Sequence, residues 1–183
     1  MNWNPRLLLA LALLLLGSGI TGRALAAEPS YRFVDLGVYH LDPDVSSSDD
    51  GAFLAGSFGI KNFHFFGEYA NLDRTLWEAG AGWHGLFGEK ADLIFQVSWF
   101  DVGVENGLKL KGGARWMVLE KLEINGYLVY TDLDLTSTNG IDVGAVWLFA
   151  RWFGLGGNYQ WGDEANTARL YARFNFGGGS KKQ

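Results

Sequence analysis

The sequence predicts an all-β chain: a single antiparallel up-and-down transmembrane β-barrel of ten strands, behind a cleaved N-terminal signal helix. Three observations point there. An apolar leader opens the chain, two-residue alternation fills most of the remainder, and the connections between alternating segments are of two kinds.

The leader begins at Arg6. It continues through the apolar run Leu7 to Leu16, then Gly17, Ser18 and Gly19, then Ala24, Leu25 and Ala26. A charged start, a short apolar stretch and a small-residue site mark a secretory signal. Cleavage is expected after Ala26, with Ala27 as the alternative. The apolar run is short for a spanning helix, which needs about 20 residues. The expected organisation is therefore residues 1–26 as signal peptide, 27–176 as an outer-membrane barrel and 177–183 as a flexible polar tail.

The 183 residues include no cysteine, which excludes a disulfide framework and thiol chemistry. There are 15 basic and 20 acidic residues, and two of the basic ones, Arg6 and Arg23, lie in the leader. The exported part then carries a net charge of −7 (13 − 20). That balance argues against nucleic acid as a partner. No apolar run beyond the leader is long enough for a membrane helix. Entry into a membrane then requires a closed barrel, in which every backbone N–H and C=O is paired.

The strands follow in order. Tyr31 to Leu41 is the first, and either of its faces could turn inward. Ala52 to Ile60 and Phe63 to Asn71 flank a tight connection at Lys61 and Asn62. In the fourth, Trp77 to Gly85, Trp77, Ala79, Ala81 and Trp83 share one face, opposite Glu78, Gly80, Gly82 and His84. From here the alternation is regular. Leu93, Phe95, Val97 and Trp99 share a face, as do Leu108, Leu110, Ala114 and Trp116. So do Leu122, Ile124, Leu128 and Tyr130, and likewise Ile141, Val143, Ala145, Trp147 and Phe149. The last two strands place Phe153, Leu155, Tyr159 and Trp161, then Leu170, Ala172, Phe174 and Phe176, in the same way. These segments run roughly 8 to 11 residues; membrane strands need about 9–11, whereas soluble strands commonly have about 5–6. An eight-strand alternative discards two of the less regular early segments.

One set of connections is compact: Lys61 and Asn62, then residues 86–90, 119–121 and 150–152. The other is acidic and turn-rich: residues 42–51, 71–74, 101–106, 132–139 and 162–166. Outer-membrane barrels have an even strand count, short periplasmic turns and longer external loops. The compact set is therefore assigned to the periplasmic side, together with both termini.

Trp77, Trp83, Trp99, Trp116, Trp147 and Trp161 all fall near strand ends on the apolar face. Indole prefers a membrane interface, where its ring is apolar and its N–H meets a polar partner. These six are the expected aromatic girdle. Trp77 and Trp83 are roughly 20 Å apart along the strand at about 3.3 Å per residue, which fits within the ~25 Å apolar band once the strand tilts. A soluble barrel or sandwich also alternates. The tryptophans at strand ends, the charges opposite them and the aromatic end of the last strand favour the membrane barrel.

The opposite face is expected to line the lumen. It carries Asp35, Glu68, Glu78, Glu123 and Asp142 against Lys109, Lys111, Arg115, Arg169 and Arg173. Charges in a narrow barrel must pair or meet water. One reading is a paired network that fills the lumen, since small barrels are filled by side chains. The other is a polar pore in which the ladder Lys109, Lys111 and Arg115 favours anions. His64 and His84 are expected to belong to this network.

No catalytic, cofactor or metal-binding residue is assigned. His40 should lie at the external end of the first strand, beside Ser46, Ser47 and Ser48; a lipid-modifying enzyme could use such residues, but a triad is recognised by geometry. The stretch from Asp42 to Gly51 fails as an EF-hand, because Ser47 and Phe53 stand where glycine and glutamate are required. Acidic external loops could share divalent cations with lipopolysaccharide phosphates.

The stretches Asn62 to Asp73, Trp77 to Trp83, Gly112 to Trp116, Tyr130 to Asp134 and Ala168 to Phe176 resemble small outer-membrane β-barrel proteins of Gram-negative bacteria, the opacity-protein and OmpX-like group. The resemblance spans nearly all of the mature chain and carries no catalytic assignment. It implies that Leu170, Phe174 and Phe176 form the signal read by the barrel-assembly machinery, although residues 177–183 displace that signal from its usual terminal position.

The expected function is non-enzymatic: a monomeric barrel in the outer membrane with a structural or surface-interaction role, a charge-paired lumen and short acidic external loops. Its expected partners are outer-membrane lipids, lipopolysaccharide and, during biogenesis, the assembly machinery. A small-solute channel, porin-like and anion-favouring in character, is the alternative, and a lipid-modifying enzyme the third reading.

Overall fold

The computed structural model describes residues 29–44, 47–87, 90–103, 105–133 and 137–176. The expected signal peptide, the tail 177–183 and Ser46 lie outside the described residues. The chain is all-β, with no helix among the described residues.

Ten strands form in chain order: β1 Phe33–Pro43, β2 Asp49–Ile60, β3 Phe63–Asn71, β4 Thr75–Leu86, β5 Ala91–Asp101, β6 Asn106–Leu119, β7 Leu122–Leu133, β8 Ser137–Ala150, β9 Phe153–Gly162 and β10 Ala165–Asn175. Each pairs antiparallel with its chain neighbours, and β1 pairs with β10, so the sheet closes on itself. Closure leaves no edge strand, and the ladder groups find partners within the wall. The ten-strand reading is correct, and the eight-strand alternative is not realised.

Several strands reach further than the alternation indicates. β2 starts at Asp49 and β8 at Ser137, inside segments expected as loops. Asp and Ser are weak strand formers. Their backbone groups nevertheless find partners in register, as in Leu41 opposite Asp49 and Asp132 opposite Ser137. A satisfied ladder outweighs propensity there. The acidic connections are correspondingly shorter than expected.

The strand that could present either face is resolved. Asp35, Gly37 and Tyr39 turn inward, while Leu36 and Val38 turn out. Elsewhere the faces follow the sequence pattern. Leu128 is 68% exposed and Phe95 58%, while the inward Glu123 and Asp142 are 4% and 3% exposed. An apolar outer wall of this extent greatly exceeds what a soluble monomer shows water.

The near rim carries residues 29–32, Phe176 and the connections at 61–62, 87–90, 120–121 and 151–152. Lys61 takes the left-handed region, φ 54°, in the two-residue turn between β2 and β3. Both register irregularities, at Met117/Leu119 and Leu148/Ala150, lie at this rim. The far rim carries the acidic connections.

Candidate functional site

The lumen has three layers. The middle layer holds all ten charges anticipated from the alternation, and each contacts an opposite charge. Arg115 grips Glu123 with two bonds, Nε to Oε1 at 2.9 Å and Nη2 to Oε2 at 2.8 Å. Arg173 grips Asp35 likewise, at 2.8 and 2.7 Å, and its Nη1 lies 3.5 Å from Glu123. Asp35, Arg173, Glu123 and Arg115 thus form one chain of charge from β1 across to β6. Lys109 donates to Glu78 at 2.6 Å, and Ser98 Oγ donates to the other oxygen at 2.6 Å. Arg169 on β10 reaches Glu68 on β3 at 2.7 Å. Lys111 stands 3.6 Å from Asp142, beyond hydrogen-bond range.

This pairing follows from register. Glu68 and Glu78 stand directly opposite each other on β3 and β4. Like charges in that relation repel. Each is matched by its own cation, Arg169 and Lys109, drawn from other strands. Asn158 ties the network together, donating to Asn125 at 3.1 Å and to Asp142 at 3.0 Å while accepting from Tyr171 at 2.8 Å. At the centre remains a cavity of about 140 Å³, lined by Lys111, Arg169, Asn125, Asn158 and their partners. It has room for several waters, each needing about 10–15 Å³ by this measure. Among the described residues, Arg169 Nε is buried there without a hydrogen-bond partner.

The near layer is built around Tyr31, a residue just ahead of β1. Its ring stacks on His84 at 3.5 Å between centroids, with the planes 9° apart. Its hydroxyl donates to Asp92 at 2.9 Å, and the Arg115 guanidinium lies 4.6 Å from the ring. The backbone is tied as well: Ser57 Oγ donates to the Tyr31 carbonyl at 3.0 Å, and Arg32 Nε donates to the Gly59 carbonyl at 2.9 Å. His64 Nδ1 lies 3.2 Å from His84 Nδ1, and Gln96 Nε2 lies 2.8 Å from His64 Nε2. Glycine makes this layer possible. A Cβ at Gly59 would meet Tyr31 Cβ at 2.8 Å, and one at Gly82 would run into the His64 ring.

The far layer is apolar. Tyr39, Phe53, Ala70 and Leu76 cluster inside the barrel, with Leu41, Leu72, Phe100 and Val102 packed against them. The rings of Tyr39 and Phe53 meet edge to face, with centroids 6.3 Å apart and planes at 80°. The charged middle is therefore enclosed by an aromatic and imidazole layer on one side and an apolar layer on the other.

Asp92 and Tyr31 are lumen residues that the alternation does not reveal. The regular alternation of the fifth strand begins at Leu93, but Asp92 shares the parity of Ile94, Gln96 and Ser98 and lies inside with them. Tyr31 stands at the start of a segment that alternates weakly, and nothing in the alternation signals that it folds inward ahead of β1. Tyr31→Phe is expected to cost about 1–3 kcal/mol of stability, because Asp92 loses its phenol partner in a buried site. Chemical unfolding followed by tryptophan fluorescence checks this; a change within error would show that Asp92 is solvated.

On the outer wall, Trp77, Trp83, Trp99, Trp116 and Trp147 are each about two-fifths exposed or more. Trp77, Trp99 and Trp161 lie toward the far rim, and Trp83, Trp116 and Trp147 toward the near rim. Leu170 and Phe174 face outward from β10, and Phe176 follows it, its N–H donating to the Arg32 carbonyl at 2.9 Å. His40 also faces outward, and its Nδ1 lies 2.7 Å from Asp50 Oδ1. Among the described residues, His40 bonds Asp50 and makes no bond to Ser47 or Ser48, so these are not assembled as a triad. Among the described residues no group of three or more metal-ligating side chains converges. The rims differ in charge: Asp44, Asp73, Glu105 and Asp163 stand at the far rim, while Arg32, Lys61, Lys121 and Arg151 stand at the near rim.

No family model and no curated protein matches the chain by sequence. Structural likeness is extensive by comparison. The KdgM porin in complex with disordered oligogalacturonate is similar over 79% of this chain and 99% of its own, with a TM-score of 0.54 and 9% identity. A second KdgM porin structure covers 78% of this chain and 99% of its own, at a TM-score of 0.49 and 12% identity. At such identities the likeness is one of fold. The chain has a porin-like β-barrel fold of the outer-membrane type.

Proposed function

We propose that this protein is a non-enzymatic barrel of the bacterial outer membrane that is closed at rest and serves a structural or surface-interaction role. One observation carries the reading: all ten charges of the middle layer are paired, and Arg169–Glu68 and Arg173–Glu123 join strands that are not neighbours, bridging the bore. A network of this kind rigidifies a small barrel and leaves little room for a solute. The apolar outer wall and the tryptophans at both rims support insertion in a bilayer, with the six tryptophans as interfacial girdle. The near rim, with its compact turns and cations, is assigned to the periplasm. Outer-membrane lipids and lipopolysaccharide are then its surroundings, and Leu170, Phe174 and Phe176 its signal to the assembly machinery. We favour a monomer.

The test is conductance of the refolded mature barrel in a planar bilayer at neutral pH and high salt. A silent membrane, with folding confirmed by heat-modifiable gel mobility, is the expected result. Steady steps of uniform size would overturn it and favour the second reading, a small-solute channel. That reading draws on the central cavity and on the porin-like fold. Neutralising Lys109, Lys111 and Arg115 would then shift ion selectivity, whereas in a closed barrel it lowers stability.

A further inference from the structure

The outward residues of three adjacent strands change from apolar to polar at one level. On β1, Val34, Leu36 and Val38 give way to His40 and Asp42. On β2, Ile60, Phe58, Leu54 and Ala52 give way to Asp50. On β10, Phe174, Ala172, Leu170 and Ala168 give way to Asn166. This level is the edge of the apolar band, where acyl chains end and headgroups begin.

The same three strands interrupt the ring of aromatics. Toward the far rim, β3, β4, β5, β7 and β9 present Tyr69, Trp77, Trp99, Tyr130 and Trp161 on the outer wall; β6 and β8 present Leu108 and Ile141 and each leave a gap one strand wide, whereas β10, β1 and β2 present no aromatic and leave a gap three strands wide. In their place is a groove of about 410 Å³, lined by Val38, Leu170, Ala168, Gly51, His40 and Asp50. His40 and Asp50 are register partners, joined at 2.7 Å. Both remain accessible, with side chains 46% and 82% exposed.

The chemistry of this pair selects its ligand. Holding Nδ1–H on Asp50 leaves the second ring nitrogen, Nε2, with its lone pair outward when the ring is neutral. Asp50 keeps a second carboxylate oxygen, and the Asp42 carboxylate stands two residues from His40 on the same face. The three acceptors carry net negative charge. They complement a primary ammonium, which has three N–H donors, and not a phosphate alone.

We infer that the β10–β1–β2 groove binds one aminolipid, its acyl chain lying along Val38 and Leu170 and its primary ammonium shared by Asp50 and His40. The inference rests on the reading that this wall meets lipid. It assigns a role to His40 that is distinct from catalysis.

The test uses the refolded barrel in vesicles containing equal parts phosphatidylethanolamine, phosphatidylcholine and phosphatidylglycerol, solubilised gently and examined by native mass spectrometry. The expected result is retention of one phosphatidylethanolamine, several-fold over phosphatidylcholine, whose quaternary head has no N–H. Asp50→Asn and His40→Ala should each reduce that ratio toward unity while keeping heat-modifiable mobility. Equal retention of the two lipids, preference for phosphatidylglycerol, or a preference unchanged in both variants would overturn the assignment. A protein that fails to float with the vesicles would instead overturn the membrane reading itself.

Discussion

Replacing Glu123 by glutamine is expected to destabilise the barrel by about 3–5 kcal/mol, the range for breaking a buried ion pair by removing one partner. Glu123 is 4% exposed and serves two cations. It accepts both bonds of Arg115 and faces Arg173 at 3.5 Å. Glutamine keeps the shape, loses the charge and turns an amide donor toward a guanidinium that can only donate. Arg173 retains Asp35, so the unpaired charge falls chiefly on Arg115. Guanidinium chloride unfolding in detergent, followed by tryptophan fluorescence, measures the effect. The double variant Arg115→Met with Glu123→Leu should be considerably milder, because it removes both charges and their desolvation cost together. A loss below about 1 kcal/mol for Glu123→Gln, the scale of an exposed pair, would mean that water reaches the pair freely and that the lumen is wet throughout.

Leu128→Arg is the second large effect. Leu128 sits at the centre of β7 and faces outward, 68% exposed. In water such a change on a strand surface is nearly neutral. At the middle of a bilayer it costs about 2–4 kcal/mol. Reversible unfolding of the barrel from phospholipid vesicles should therefore separate Leu128→Arg from wild type by that amount. A difference within error would place the outer wall in water and remove the membrane assignment, independently of any conductance measurement.

The faces of the regular strands from β5 onward, and the common side of the charges they carry, are legible because they obey one rule. A period of two assigns every residue of a strand once the face of one is known. Lys109, Lys111 and Arg115 share a parity, and so do Glu123 and Asp142 on their own strands, so common burial follows. Pairing was less accessible. Arg169 meets Glu68 across the bore, 101 residues away, and that choice depends on barrel diameter and strand tilt. The apolar layer was hidden for a related reason. Tyr39, Phe53 and Leu76 look like outer-wall residues until the early strands receive a face, and those strands alternate least clearly. Tyr31 lay beyond the rule altogether, since it packs inward ahead of the first strand and is held by His84 and Asp92 from β4 and β5.

The seam between β1 and β10 has a consequence for the order of events in biogenesis. Its eleven register pairs, from Phe33 with Asn175 to Pro43 with Ala165, join the two ends of the described chain. Every other strand pairing is local and can form as a hairpin; this one closes the largest loop the molecule contains. Contacts of such sequence separation set the slow step of folding. Arg173 cannot reach Asp35 until the seam is made, so a growing sheet carries Asp35 unmatched at one open edge and leaves Arg173, at the other, with Glu123 alone. Those edges are also rows of free N–H and C=O groups, which hydrocarbon does not tolerate. A nascent chain of this design has no stable partly inserted form of its own. Its whole length must be delivered, and its last strand presented, before the first can be satisfied.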